Sequence, residues 1–279
     1  MNLHHIILDG GFYMFDCHVH SSFSGDSDMN CEEALNTAIN MGLEGIAFTD
    51  HLDFDYPNYD ELFMIDFDKY SYAMDNLKKD FAGRIQVFKG IEVGIQPHVI
   101  DSTLEVINSY DFDTVIASVH IVDKLDLHNG DFCKSKTKTQ AFTRYLEEVL
   151  QTLKSFDNFD FLGHIDLIRR YGCYDNKTLE YNEFSDLIDA ILKQIISMGK
   201  GIEVNTSGFR YKLNSPMPDF EIVKRYKELG GEIICTSSDA HIPEHIGYKF
   251  DFIKEMISRA GFEYTAHFNQ RKPVFTKID

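Results

Sequence analysis

Six short apolar runs in this chain are followed by residues of the kind that bind metal ions. The first leads into His18-Val19-His20, with Asp26 in the loop behind it, and the second into Thr49-Asp50-His51. Glu92 follows the third, His120 the fourth and His164 the fifth, while the seventh leads into Ser238-Asp239-Ala240-His241. The sixth offers only Asn205, which is not a metal-type side chain. A single histidine at a strand end is usually structural; the same choice repeated at six strand ends is not chance. Imidazoles and carboxylates without thiolates suit Zn, Fe or Mn and do not choose among them. His18 and His20 are two apart on an extended chain, so both project to one side, and Asp239 and His241 repeat the spacing. Nine ligands are too many for one ion with an open position. Two or three divalent ions are needed, and such clusters typically serve phosphoryl hydrolysis.

These residues can meet only if the elements between them bring the strand ends together. The apolar runs are Met14–Cys17, Gly45–Phe48, Ile85–Ile91, Thr114–Val119, Phe159–Gly163, Gly201–Val204 and Glu232–Thr236. They are continuous rather than alternating, as strands buried on both faces of a parallel sheet require. Helical spacing is expected over Cys31–Met41, Lys138–Lys154, Asn182–Met198, Asp219–Leu229 and Phe250–Arg259. Asn30 and Glu33 have the spacing of a capping box, and Gly42, Gly199, Gly230 and Gly261 stand at helix ends. Seven strands, each followed by helix, suggest a distorted (β/α)7 barrel of the TIM type, whose strand carboxyl ends converge on one face. An open doubly wound sheet satisfies the same periodicity. We read 14–279 as one domain and residues 1–13 as an extension ahead of the first strand.

Composition narrows the partners. The formal charge is −18, which disfavours nucleic acid. An anionic substrate is compatible only if bound cations reverse the field locally. No apolar run reaches membrane-spanning length. The five cysteines, Cys17, Cys31, Cys133, Cys173 and Cys235, are odd in number and scattered, so free thiols in a reducing cytoplasm are expected. The oligomeric state stays open, a homo-oligomer included.

The ordered motifs H-x-H, T-D-H, G-x-E, S-V-H, G-H and S-D-A-H resemble the polymerase and histidinol phosphatase (PHP) superfamily of metal phosphoesterases. The stretches D-C-H-V-H-S-S-F-S-G-D-S, F-L-G-H-I-D-L-I-R-R-Y-G, I-E-V-N-T-S-G-F-R and S-S-D-A-H-I-P-E-H-I-G resemble its histidinol-phosphate phosphatases. The resemblance implies a trinuclear site. His18, His20, Glu92 and Asp239 would hold one ion, Asp26, His51 and His241 a second, and Glu92, His120 and His164 a third, with Glu92 bridging. Asp239 and His241 are then also the catalytic side chains. The reaction implied is hydrolysis of L-histidinol phosphate to L-histidinol and phosphate, with a metal-bound hydroxide as nucleophile and no protein nucleophile. The alternatives are a nucleotide or nucleic-acid phosphoesterase of the same superfamily, and a non-catalytic metal-binding domain.

Beyond the ligands, Arg169 and Arg210 are expected to clamp the phosphate, since a guanidinium donates two parallel hydrogen bonds. Arg170 is expected to point away. Asn205, Ser238 and His245 complete the expected substrate contacts. The acidic, aromatic stretch from Leu52 to Asp68, with Asp53, Asp55, Asp60 and Glu61, reads either as a specificity loop or as a plain cover. His4, His5, His98, His128 and His267 fit no pattern and are expected to be structural or exposed.

Overall fold

The computed structural model describes residues 14–59, 61–172 and 174–278; the extension over 1–13 lies outside them. Seven parallel strands form the frame: β1 (Phe15–Val19), β2 (Gly45–Phe48), β3 (Gln86–Gly94), β4 (Thr114–Ser118), β5 (Phe161–Leu162), β6 (Gly201–Asn205) and β7 (Ile234–Ser237). They pair in chain order, and a two-residue piece, His51–Leu52, adds to the β3 edge beyond β2. The last strand returns to the first. Asp239 N donates to His18 O at 2.8 Å, His20 N to Ala240 O at 2.9 Å and Thr236 Oγ1 to Phe15 O at 2.7 Å. These bonds close a barrel rather than leave an open sheet. The seam has one parallel bridge, Val19 with Ala240, instead of a full ladder, which makes the closure irregular.

The helices wrap the outside: α1 (Cys31–Asn40), α2 (Phe67–Asp80), α3 (Ile100–Ser109), α4 (Lys138–Ser155), α5 (Ile168–Tyr171), α6 (Tyr181–Ser197), α7 (Ser207–Arg210), α8 (Phe220–Glu228) and α9 (Phe250–Arg259). Their starts follow local chemistry. Asn30 Oδ1 accepts from Glu32 N and Glu33 N to open α1, and Thr137 with Gln140 forms a reciprocal capping box at α4. The spacing of the sequence does not reveal α3, which begins at Val99 with no side-chain cap.

Inside the barrel, chemistry is separated by height. The amino-terminal half is apolar, filled by Phe15, Cys17, Phe88, Ile116, Phe161 and Cys235. A carboxy-terminal hairpin, β8 (Tyr264–Asn269) and β9 (Lys272–Lys277), closes this floor with Ala266, Phe268 and Phe275. Each large apolar side chain so buried contributes roughly 1.5–3 kcal/mol. The opposite half holds the polar groups. On β1 the register with β2 slips by one residue between Asp16 and Val19. Such a bulge re-aims the side chains beyond it, and here Cys17 stays in the floor while His18 and His20 join the polar end.

Candidate metal centre

All nine predicted ligands come together at the carboxyl ends of the strands. Glu92, on β3, is 1% exposed and lies at the centre. Its Oε1 is 3.0 Å from His164 Nε2 and 3.3 Å from His120 Nε2; its Oε2 is 3.3 Å from His18 Nε2 and 3.1 Å from His51 Nδ1. Asp26 Oδ2 is 3.5 Å from His51 Nε2 and 3.1 Å from His241 Nε2. Asp239 Oδ1 is 3.4 Å from His20 Nε2. Three groups emerge whose ligand atoms lie within 4.8 Å of one another: His18, His20 and Glu92; His20, Asp26, His51 and His241; and Glu92, His120 and His164. His51, Asp53 and His120 make a fourth such group.

The donor set fits divalent cations. His18 Nε2 and His20 Nε2 face each other at 3.0 Å in full burial, where only one can carry a hydrogen. His51 Nδ1 and Asp53 Oδ2 are buried without a hydrogen-bond partner. The electrostatics agree. Burial, then the neighbouring His241 and His51, push His20 down to about 3, so its imidazole is neutral. Burial opposes charge on His18 as well, but the Glu92 and Glu203 carboxylates lift its pKa well above the usual range. His120 is pushed up to about 10 by Asp53 and Glu92 against the same burial. Burial disfavours the Glu92 carboxylate, yet His18, His51 and His120 hold it well below the ordinary value. These carboxylates therefore demand positive charge nearby, and a cation can replace the protons that the histidines would otherwise take up.

The far sides of four rings are also held, while His164 Nδ1 is buried without a hydrogen-bond partner. His18 Nδ1 is 2.9 Å from Glu203 Oε2, and His120 Nδ1 is 2.7 Å from Asp53 Oδ1. His20 Nδ1 is 3.3 Å from Ser24 Oγ, which donates to Asp50 Oδ1 at 2.9 Å. His241 Nδ1 is 3.0 Å from Asp239 O. Asp239 itself adopts φ 55°, a left-handed conformation that aspartate tolerates better than most. Its N donates to His18 O, and its O accepts from Arg210 Nη2 at 2.8 Å.

A cavity of about 230 Å³ opens from this cluster. Asp26, His51, Glu92, His120, His164, Asp239, His241 and Arg170 line it, together with Tyr56, Phe63, Asp126, His128 and Tyr171.

The PHP domain model matches residues 16–207. The chain belongs to the PHP family. A probable histidinol-phosphatase of Clostridium acetobutylicum is 36% identical over 85% of this chain and 90% of its own length. The histidinol-phosphatase of Lactococcus lactis subsp. lactis is 32% identical over 92% of this chain and 95% of its own. A crystal structure of histidinol phosphate phosphatase from that organism, complexed with zinc, L-histidinol and phosphate, superposes with a TM-score of 0.88, covering 93% of this chain and 98% of the other.

Within this PHP barrel, several expected substrate contacts are placed differently. Arg169 does not face the cavity. It is 2% exposed and donates to Asp166 Oδ2 (2.6 Å), Ser215 Oγ (2.6 Å) and Pro216 O (3.3 Å). Arg170, expected to point away, lines the cavity, donates to Asp239 Oδ2 at 2.8 Å and lies 3.8 Å over the Tyr211 ring. The two are consecutive on the short α5, so they project about 100° apart; which of them faces inward depends on how that turn docks. Arg210 buttresses Asp239 from behind the cavity wall and leaves Nη1 buried without a partner. Asn205 is fully buried: its Nδ2 donates to Glu203 Oε1 at 3.0 Å and its Oδ1 accepts from Ser207 N and Oγ. Ser238, also buried, donates its N to Asp16 Oδ1. Neither they nor His245 line the cavity.

The acidic loop is divided. Asp53 is buried against His120, whereas Asp55 pairs with the exposed His98 at 2.6 Å and Glu61 faces solvent. Asp60 lies outside the described residues, as do His4 and His5. Sequence reasoning missed Glu203, because the sixth strand seemed to offer nothing ionisable beyond its end. It also missed Asp126 and His128, which sit after a small antiparallel turn, Ile121–Val122 with Leu125–Asp126, that carries no motif.

Proposed function

We propose that the protein is a histidinol-phosphatase that hydrolyses L-histidinol phosphate, the dephosphorylation step of histidine synthesis. The observation that carries this reading is one cavity lined both by convergent metal-type ligands and by a buried carboxylate with aromatic rings. Three divalent ions fit the donor set, held by His18, His20, Glu92 and Asp239, by Asp26, His51 and His241, and by Glu92, His120 and His164. Such ions supply charge neutralisation at phosphate oxygens and an activated water near neutral pH. Zinc is one candidate, as in the Lactococcus lactis complex.

The chain's own residues do the rest. Arg170 presents its guanidinium to the cavity beside Asp239 and is placed to hold a phosphate oxygen. Arg210 keeps Asp239 in its left-handed turn, and Tyr211 stacks under Arg170 to fix its plane. Elsewhere in the cavity lining, Asp126 Oδ1 accepts from Tyr56 Oη at 2.7 Å and from His128 N at 2.7 Å. Those bonds fix the carboxylate inside the cavity wall, 4% exposed, where it can meet a cationic ammonium or imidazolium. Tyr171 and Phe63 offer ring faces for an imidazole. Phosphate binding and substrate choice are thus served by different residues of one cavity.

The test is phosphate release from histidinol phosphate, nucleoside monophosphates, phosphotyrosine and p-nitrophenyl phosphate, with metal analysis on the same sample. Histidinol phosphate should have the highest kcat/KM, two to three ions should be present per chain, and chelation should abolish turnover. Asp126→Asn should lose about 10- to 100-fold for histidinol phosphate, the worth of one charged hydrogen bond of roughly 1.5–3 kcal/mol, while keeping p-nitrophenyl phosphate hydrolysis. A panel led by a nucleotide would overturn the substrate assignment. Among the described residues, no helix is long and apolar enough to cross a membrane. The buried thiols of Cys17, Cys31 and Cys235 fit our placement of the enzyme in a reducing cytoplasm.

A further inference from the structure

We propose that Glu203, which is not one of the expected metal ligands, is a positioning residue for the metal centre: it fixes the hydrogen of His18 on Nδ1 and thereby turns Nε2 toward the ions. The inference rests on the reading of the cluster as a metal centre. Glu203 lies on β6, two residues before Asn205, with no exposure to solvent. Three nitrogen donors meet its two oxygens. Oε1 accepts from His164 N at 2.5 Å and from Asn205 Nδ2 at 3.0 Å. Oε2 is 2.9 Å from His18 Nδ1.

The direction of the hydrogens follows from the amide. Asn205 Oδ1 is occupied by the backbone and hydroxyl hydrogens of Ser207. Its Nδ2 must therefore be the atom that meets Glu203. Glu203 Oε1 is taken up by two N–H donors, and Oε2 remains for His18. A carboxylate only accepts, so His18 Nδ1 must carry its hydrogen. The lone pair then lies on Nε2, which stands 3.3 Å from Glu92 Oε2 and 3.0 Å from His20 Nε2, inside the first ligand group. The ring needs such a hold, because His18 lies within the register slip of β1 and is not fixed by a regular ladder. One carboxylate thus ties together the ends of β1, β5 and β6.

Glutamine at this position is nearly the same size but has the wrong hydrogens. If its carbonyl keeps the two N–H donors of His164 and Asn205, its NH2 group faces His18. The imidazole must then accept at Nδ1 and carry its hydrogen on Nε2, pointing at the ions. Outer partners of metal-bound histidines typically carry 10- to 100-fold in affinity.

The experiment measures zinc affinity by competition with a chromophoric chelator in the parent, Glu203→Gln, His18→Ala and the double variant, with circular dichroism of each. Glu203→Gln should bind the weakest-held ion about 10- to 100-fold less tightly. In the His18→Ala background the same change should cost less than about 2-fold, because the ring it orients is gone. A merely structural carboxylate would give the same loss in both backgrounds. That result, or parent-like affinity in Glu203→Gln, would overturn the inference. A parent chain that binds no zinc would instead remove the metal-centre reading, and this inference with it. Should Glu203→Gln not fold, Glu203→Asp keeps the charge and shortens the reach; it should weaken zinc less than the loss of His18 does, and again only when His18 is present.

Discussion

Arg169 and Arg170 are chemically identical neighbours with different tasks. Arg169 is sealed against Asp166 and Ser215, and breaking a buried pair by removing one partner typically costs about 3–5 kcal/mol. Arg169→Leu should therefore lower the unfolding temperature markedly, while folded protein keeps its KM for phosphate esters. Arg170 faces the cavity. Arg170→Lys should leave metal content unchanged and reduce kcat/KM by about 10- to 100-fold for every phosphate monoester, because an ammonium cannot reproduce a two-pronged contact. Steady-state kinetics alongside metal analysis and thermal melts separate the two. Normal kinetics in Arg170→Lys would leave the phosphate to the ions alone.

The elements converge on the site through close approaches that only small residues allow. At Gly94, the last residue of β3, an added Cβ would sit 1.7 Å from Asp53 Oδ1 and 2.4 Å from its Cγ. Asp53 would have to leave His120, whose Nδ1 it holds. Gly94→Ala should accordingly keep its far-UV circular dichroism but lose metal from the Glu92, His120 and His164 group, with activity down about 10-fold or more. Parent-like metal content in that variant would show that the loop after His51 yields without consequence. The cap of α1 was readable from Asn30, since that signal is local. The β8–β9 hairpin was not: its turn places Gln270 and Arg271 at φ 51° and 61°, where asparagine and glycine would be the usual signal. Tertiary bonds hold it instead. Arg271 Nε donates to Asp160 Oδ2 at 2.5 Å, and Arg271 N to Asp113 O at 2.8 Å.

At the scale of the whole molecule, the barrel floor makes stability depend on acid. His267, on β8, is 3% exposed and stacks on Phe15 with ring centroids 3.8 Å apart. Burial pushes its pKa from 6.5 down to about 4. The unfolded chain thus takes up a proton before the folded one as pH falls. Stability is kept above 6.5 and lost between 6.5 and 4, at up to about 1.4 kcal/mol per pH unit from this group. His267→Phe should flatten that part of the profile: in chelator, the melting-temperature difference between variant and parent should grow from pH 6.5 to 4 and be constant above it. A difference that does not change with pH would mean that His267 protonates without leaving its place.

The sequence alone determined the strand-helix alternation, the parallel sheet and the nine side chains at its carboxyl edge, because residue type and spacing along one strand report directly which groups that strand can deliver. It also carried the family, since the motifs recur in order from Asp16 to Gly247. Only the tertiary structure decided closure, through the His18–Asp239 and His20–Ala240 backbone bonds between the first and last strands. It alone selected Arg170 over Arg169, moved Asn205 and Ser238 behind the wall, and brought Glu203, Asp53 and Asp126 to the site. Each of these depends on which way a turn docks or which partner lies across the barrel. Such partners are far away in sequence: Glu203 meets His18 across 185 residues, a distance over which local spacing carries no information.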